Sequence, residues 1–123
     1  MKEIIAIIRP KKVTATKEAL EKLGFPSITA EAVLGRGKQR GIASEVSFPV
    51  NAELLAKGKN GGMKFIPKRM ISIVADNEQV DLIVKTLVEI NQSATVGDGK
   101  IFVCPIDNAV RVRTGESGTQ ALI

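Results

Sequence analysis

The 123-residue chain contains no histidine, no tryptophan, no tyrosine, a single cysteine and four phenylalanines. Each shortage removes a class of chemistry. Without histidine there is no Ser-His-Asp or Cys-His nucleophile system and no imidazole-held metal. One cysteine, Cys104, forbids an internal disulfide and any multi-thiolate cluster, which fits a reducing compartment. It lies in an apolar stretch and reads as an inert buried residue. With no tyrosine there is no phenolic hydroxyl to modify. No apolar run approaches the about 20 residues that a membrane span needs. The opening MKEIIAIIRP is closed by Arg9 and Pro10 without a small-residue cleavage site, so the expected location is cytoplasmic. No pair of carboxylates marks a general acid and base, and the expectation is a protein that is not an enzyme.

What is present is the composition of one globular domain, 44% hydrophobic and 25% charged, expected to span residues 1–123. The net charge of +5 is unevenly placed. From Arg36 to Arg69 there are eight basic residues against two acidic ones, whereas the remainder carries ten against eleven. A near-neutral scaffold therefore holds one basic, glycine-rich segment. Such a segment is either a solvated loop or a surface for something anionic.

Residues 3–8 (EIIAII) form a β-branched run ended by Arg9-Pro10 and predict a buried strand. From about 12 to 23 the apolar residues Val13, Ala19, Leu20 and Leu23 fall on one helical face, with Gly24 as C-cap and Pro26 beyond. Alternation over 28–34 predicts a half-buried strand. Regularity then fails until about residue 68, and a loop of that length in a compact domain is usually functional. A second apolar strand is expected over 68–75. Asp76 with Gln79 makes a capping box, and Val80, Ile83, Val84, Leu87 and Val88 make a helical stripe to about residue 91. A turn over 93–100, a strand over 101–106, an extended stretch over 110–113 and a polar, mobile tail over 114–123 complete the chain. The order is βαββαβ, a ferredoxin-like α/β (α+β) sandwich with both helices on one face of an antiparallel-plus-parallel sheet and a long loop between strands 2 and 3. The other face is also apolar and needs a cover, for which another subunit is the simplest choice.

Three segments have chemistry to offer. Gly97-Asp98-Gly99-Lys100 lies between a helix and a strand. Its glycines let backbone N–H groups approach an anion while Lys100 adds charge, although Asp-Gly is also a common turn. It is not a phosphate loop of the GxxxxGK[ST] kind, because Ile101 follows the lysine. Arg111 and Arg113, two apart in an extended stretch, would leave one face together and form either a phosphate clamp or a charged edge. Residues 35–41, GRGKQRG, could fold around a ligand. RNA reading is disfavoured, since only Phe102 offers an aromatic ring on a predicted strand.

Together these pieces resemble the PII signal-transduction family over nearly the whole chain. EIIAIIRPKK, TAEAVLGRGKQRG, FIPK, SATVGDGKIFV and VRVRTGE occur in the family's order, with GDGKIFV at a helix-to-strand join the most specific. The long loop, about 37–66, and GRGKQRG most resemble the nitrogenase-associated branch. The resemblance implies trimers whose sheets face inward, with ATP or ADP in clefts between subunits. It implies nucleotide contacts from Thr29, Gly35, Gly37, Lys38, Val74, Gly97, Asp98, Gly99, Lys100, Arg111 and Arg113. It also implies a 2-oxoglutarate site formed by Gln39, Gly41, Ile42, Lys68 and Gly97, with Gln39 ligating a Mg²⁺ shared by ATP and 2-oxoglutarate. Departures from the family pattern are the missing loop tyrosine used for uridylylation, Lys38 and Ser72 in place of Arg and Glu, and Ser93-Ala94 in place of Thr-Gly.

The expected function is a nitrogen and energy sensor whose loop binds a target when 2-oxoglutarate is scarce. The implied target is nitrogenase, and the implied partner is a further copy or a sister PII protein. An ammonium transporter is the alternative target, and nucleic acid ranks below both.

Overall fold

The computed structural model describes residues 1–37 and 64–123 of the chain. β1, Lys2–Ile8, alternates as its sequence demands: Ile4, Ala6 and Ile8 are buried on one face, while Ile5 and Ile7 are half-buried on the other. Pro10 stops the ladder and opens a 3-10 turn, Pro10–Lys12, that leads into α1, Val13–Lys22. The helix closes at Gly24, whose φ of 92° is a left-handed conformation that glycine adopts without strain. Gly24 N–H donates to the Glu21 carbonyl at 3.0 Å and Phe25 N–H reaches back to that of Leu20 at 2.9 Å. These bonds satisfy the last-turn carbonyls and turn Phe25 onto the core.

β2, Thr29–Gly35, β3, Ile66–Ala75, α2, Val80–Asn91, and β4, Gly99–Pro105, complete the framework. The sheet order is β2-β3-β1-β4 and every neighbouring pair is antiparallel. This corrects the expected mixed sheet. Each helical crossover skips one strand, so the parallel pairs β1/β2 and β3/β4 are separated by a strand of opposite direction. The sandwich itself is the expected ferredoxin-like α+β fold.

Ile4, Ala6, Ile8, Ile71, Ile73 and Ala75 meet Leu20 of α1 with Ile83 and Leu87 of α2 in one core. Each large side chain so buried contributes about 1.5–3 kcal/mol. Asn91, also buried, donates from Nδ2 to Thr16 Oγ1 at 3.1 Å and to the Leu87 carbonyl at 2.9 Å, tying the two helices together.

Four further expectations are corrected. Asp76 makes no side-chain cap; the turn Asn77–Gln79 intervenes, and Gln79 N–H binds the Asp76 backbone carbonyl instead. β2 is more exposed than a half-buried strand because, among the described residues, it is an edge with a neighbour on one side only. Cys104 is half-buried on the helix-free face, opposite Glu3. Residues 110–113 are not a strand: Val110 makes one antiparallel bridge to Ser117, and the chain between them turns. The tail beyond continues as a 3-10 helix, Gly118–Leu122.

Candidate functional site

The turn from α2 into β4 is organised by one carboxylate. Asp98 Oδ2 accepts the Ser93 backbone N–H at 2.7 Å and that of Thr95 at 3.4 Å. Its Oδ1 accepts the Ser93 hydroxyl and, at 3.3 Å, the Thr95 hydroxyl. The hydrogen bonds from the Ser93 side chain and backbone, helped by those from Thr95, hold the Asp98 carboxyl well below the usual carboxylate range. Arg9, 9% exposed at the end of β1, closes the turn from behind. Its Nη2 donates to Thr95 Oγ1 at 3.2 Å and to the Val96 carbonyl at 3.0 Å, and lies 3.7 Å from Asp98 Oδ1.

Backbone geometry explains the glycines of GDGK. Gly97 and Gly99 have φ of 99° and 120°, in the left-handed region. A Cβ on Gly99 would stand 1.9 Å from the Ile7 carbonyl oxygen, so only glycine lets β4 lie against β1 here. Ala94, where the family pattern has glycine, also sits at positive φ, 60°. The Asp98 side chain is turned onto its own loop, and its backbone N–H reaches the Thr95 carbonyl at 3.4 Å.

At this end of the sheet the helix-free face forms a cleft of about 410 Å³. Its walls include Gly35, Arg36 and Gly37 at the end of β2, Lys68 on β3, and Val96, Gly97, Gly99 and Lys100 from the turn and β4, over a floor of Ile7, Ile66 and Phe102. Lys68 is the key side chain. Only 7% exposed, it sends Nζ to the Gly97 carbonyl at 2.6 Å. A buried ammonium needs such partners to remain charged. One such partner here is a peptide oxygen, the Gly97 carbonyl. Arg36, Lys68, Lys100 and the glycine backbone thus suit a ligand rich in phosphate or carboxylate. On the outer side of the turn, Arg9, Lys11, Lys12, Ala15, Ser93 and Thr95 border a separate basic concavity of about 500 Å³. Among the described residues no group of three His, Cys, Asp or Glu side chains is placed to hold a metal ion.

Of the residues singled out from the sequence, Gly35, Gly37, Lys68, Gly97, Gly99 and Lys100 converge on the cleft. Lys38, Gln39, Gly41 and Ile42 lie outside the described residues. Thr29 and Val74 share the cleft's sheet face, since Thr29 pairs with Ser72 and Val74 with Glu3. They sit towards the other end of β3, however, and six residues from Lys68 to Val74 span roughly 20 Å. Ser72 donates its hydroxyl to Glu3 Oε2 at 2.6 Å. Arg111 is committed to the C-terminal segment: it binds Glu116 Oε1 at 3.1 Å, the Gln120 carbonyl at 3.0 Å and the Ile123 carbonyl. Arg113 lies exposed in the turn, so the expected pair on one face does not form within this chain. Arg9 escaped sequence reading, where it served only to end a strand. Its signal was faint: a guanidinium directly after an aliphatic strand, with its backbone direction set by the following proline.

These features define an α+β sandwich with a basic, glycine-lined cleft at one end of an open sheet face. A family model described as Nitrogen regulatory protein P-II matches residues 1–116, and the chain belongs to that family. It is 53% identical over 122 residues to the nitrogen fixation nifHD1 region GlnB-like protein 2 of Methanosarcina barkeri, covering 99% of both chains. It is 54% identical over 123 residues to the corresponding nifHD region protein of Methanobacterium ivanovii, covering all of both. A nitrogen regulatory protein P-II of Synechocystis is 38% identical over 122 residues, 99% of this chain and all of that one. Among the described residues no helix is long and apolar enough to cross a membrane.

Proposed function

We propose that this single-domain chain is a trimer-forming sensor that binds ATP or ADP and 2-oxoglutarate in the cleft and regulates a target through the long loop of about residues 37–66. The observation that carries the reading is the Lys68 Nζ contact to the Gly97 carbonyl inside a cleft walled by Gly35, Gly37, Gly99 and Lys100. Lys68 pairs with a carboxylate of 2-oxoglutarate, and the backbone and Lys100 of the GDGK turn take the nucleotide phosphates. Gln39 would hold the Mg²⁺ that accompanies ATP and 2-oxoglutarate, where the ion would offset the charge of the phosphates and carboxylate. The roughly 20 Å between Lys68 and Val74 supports a site completed by a neighbouring copy, with Thr29 and Val74 on the adenine side and the Arg111–Arg113 segment contributing charge.

The apolar open face, with Ile5, Ile7, Met70 and the 48% exposed Phe102, supports assembly into a trimer or a hetero-oligomer with a sister protein. The nif-region names of the relatives favour nitrogenase as the target, bound when 2-oxoglutarate is scarce and released when it is abundant. The switch is population shift: the effector binds one loop state more tightly than the other, and no bond is made or broken. The site of action is the cytoplasm. Calorimetry tests the reading. With MgATP present, 2-oxoglutarate binds the wild-type chain, and Lys68→Ala weakens it about 10- to 100-fold. Absent binding, or binding indifferent to Lys68→Ala, overturns it.

A further inference from the structure

We propose that Arg9, which is not itself among the residues lining the cleft, is a positioning residue that sets the affinity of the cleft by orienting the Val96–Gly97 peptide. The inference rests on the reading of the cleft as a nucleotide and 2-oxoglutarate site. A trans peptide places its carbonyl and its N–H on opposite edges of one plane. Arg9 Nη2 holds the Val96 carbonyl at 3.0 Å. The Gly97 N–H of the same peptide therefore points away from Arg9. Gly97 itself lines the cleft, and its own carbonyl is taken by Lys68 Nζ at 2.6 Å. The two peptides flanking Gly97 are thus gripped by two cations, one from β1 and one from β3. A glycine with a φ of 99° would otherwise explore several orientations.

Arg9 is suited to this task. It is 9% exposed, it follows Ile8 of β1 directly, and Pro10 confines its backbone to the extended conformation observed, φ −68° and ψ 141°. The same nitrogen also donates to Thr95 Oγ1 at 3.2 Å and stands 3.7 Å from Asp98 Oδ1. The grip on Val96 is therefore part of one network with the carboxylate that shapes the turn. A lysine keeps the charge but loses the planar fork that reaches Thr95 and Val96 together.

The test compares wild type, Arg9→Lys and Arg9→Met by calorimetry with MgATP and then 2-oxoglutarate, after circular dichroism shows the variants folded. In parallel, the Gly97 amide resonance is followed in ligand-free protein. A residue that supports only global stability would leave that resonance and the affinities of a folded variant unchanged. The expected result is a displaced Gly97 amide and about tenfold weaker binding of both ligands in Arg9→Lys, with a larger loss in Arg9→Met. If Arg9→Met does not fold, Arg9→Lys carries the comparison. Unchanged affinity in a folded variant overturns the role of Arg9 alone. A wild-type chain that binds neither ligand overturns the reading of the cleft, and the inference with it.

Discussion

The two faces of this sheet are built from similar aliphatic strands and put to different use. On the helix-covered face, Ile4, Ala6, Ile8, Ile71, Ile73 and Ala75 are all buried by α1 and α2. On the open face Ile5, Ile7, Met70, Val74 and Phe102 stay partly or largely exposed. They are interrupted by the Ser72–Glu3 hydrogen bond and by Lys68 reaching to Gly97. The first face follows from apolar burial alone. The second mixes apolar area with polar groups whose partners lie far along the chain, a mixture that suits the ligand and neighbouring copy proposed above. The difference teaches that hydrophobicity along a strand does not by itself say which face the helices bury, while the polar exceptions mark the face that they leave open.

That contrast can be broken in order of expected effect. Ile4→Ala on the covered face should cost about 3 kcal/mol, read from urea unfolding, because it empties space among packed side chains. Phe102→Glu on the open face should instead shift sedimentation towards smaller assemblies, by roughly tenfold or more in association constant, by placing a charge in an apolar contact. Equal losses of stability, with no change in assembly, would erase the distinction between the faces.

A smaller effect concerns the turn at the cleft. The folded Asp98 carboxyl titrates below its unfolded value, so its contribution to stability is fully present above about pH 4 and fades as pH falls below that. Urea midpoints measured from pH 6 downwards should fall for wild type, and fall less steeply for Asp98→Asn. Parallel profiles would mean that the Ser93 and Thr95 hydrogen bonds do not favour the ionised form. The smallest effect is a gain. Ala94 holds a φ of 60°, which costs a non-glycine residue about 1 kcal/mol, so Ala94→Gly should raise stability by up to about 1 kcal/mol. A loss would show that the wild-type turn is relaxed with alanine.

Much of the fold was legible before any coordinates. EIIAII, the 80–88 stripe and the Gly24 stop are local patterns, and they match β1, α2 and the end of α1 within a residue or two. The capping box at Asp76 failed because a 3-10 turn took its place, and hydrogen-bond choice at a helix start turns on fractions of an ångström. The strand over 110–113 failed because Arg111 found acceptors in Glu116, Gln120 and Ile123, which pull the chain into a turn. In the site, glycines and lysines at GDGK and Lys68 were visible as residue types, whereas Arg9 was not, since its meaning lies in atoms 86 and 87 positions away.

By itself, then, the sequence determined most of the elements, their order, the exclusion of histidine-dependent and disulfide chemistry, and the family motifs, because each depends on composition or on periodicity within one segment. Only the tertiary structure decided that Lys68 meets the Gly97 carbonyl, that Asp98 binds its own turn, and that Gly99 must lack a side chain to pass the Ile7 carbonyl. The Lys68 and Gly99 outcomes depend on antiparallel register between strands distant in sequence, where a shift of one residue would send those groups to the other face, whereas the Asp98 contacts depend on how the turn itself folds.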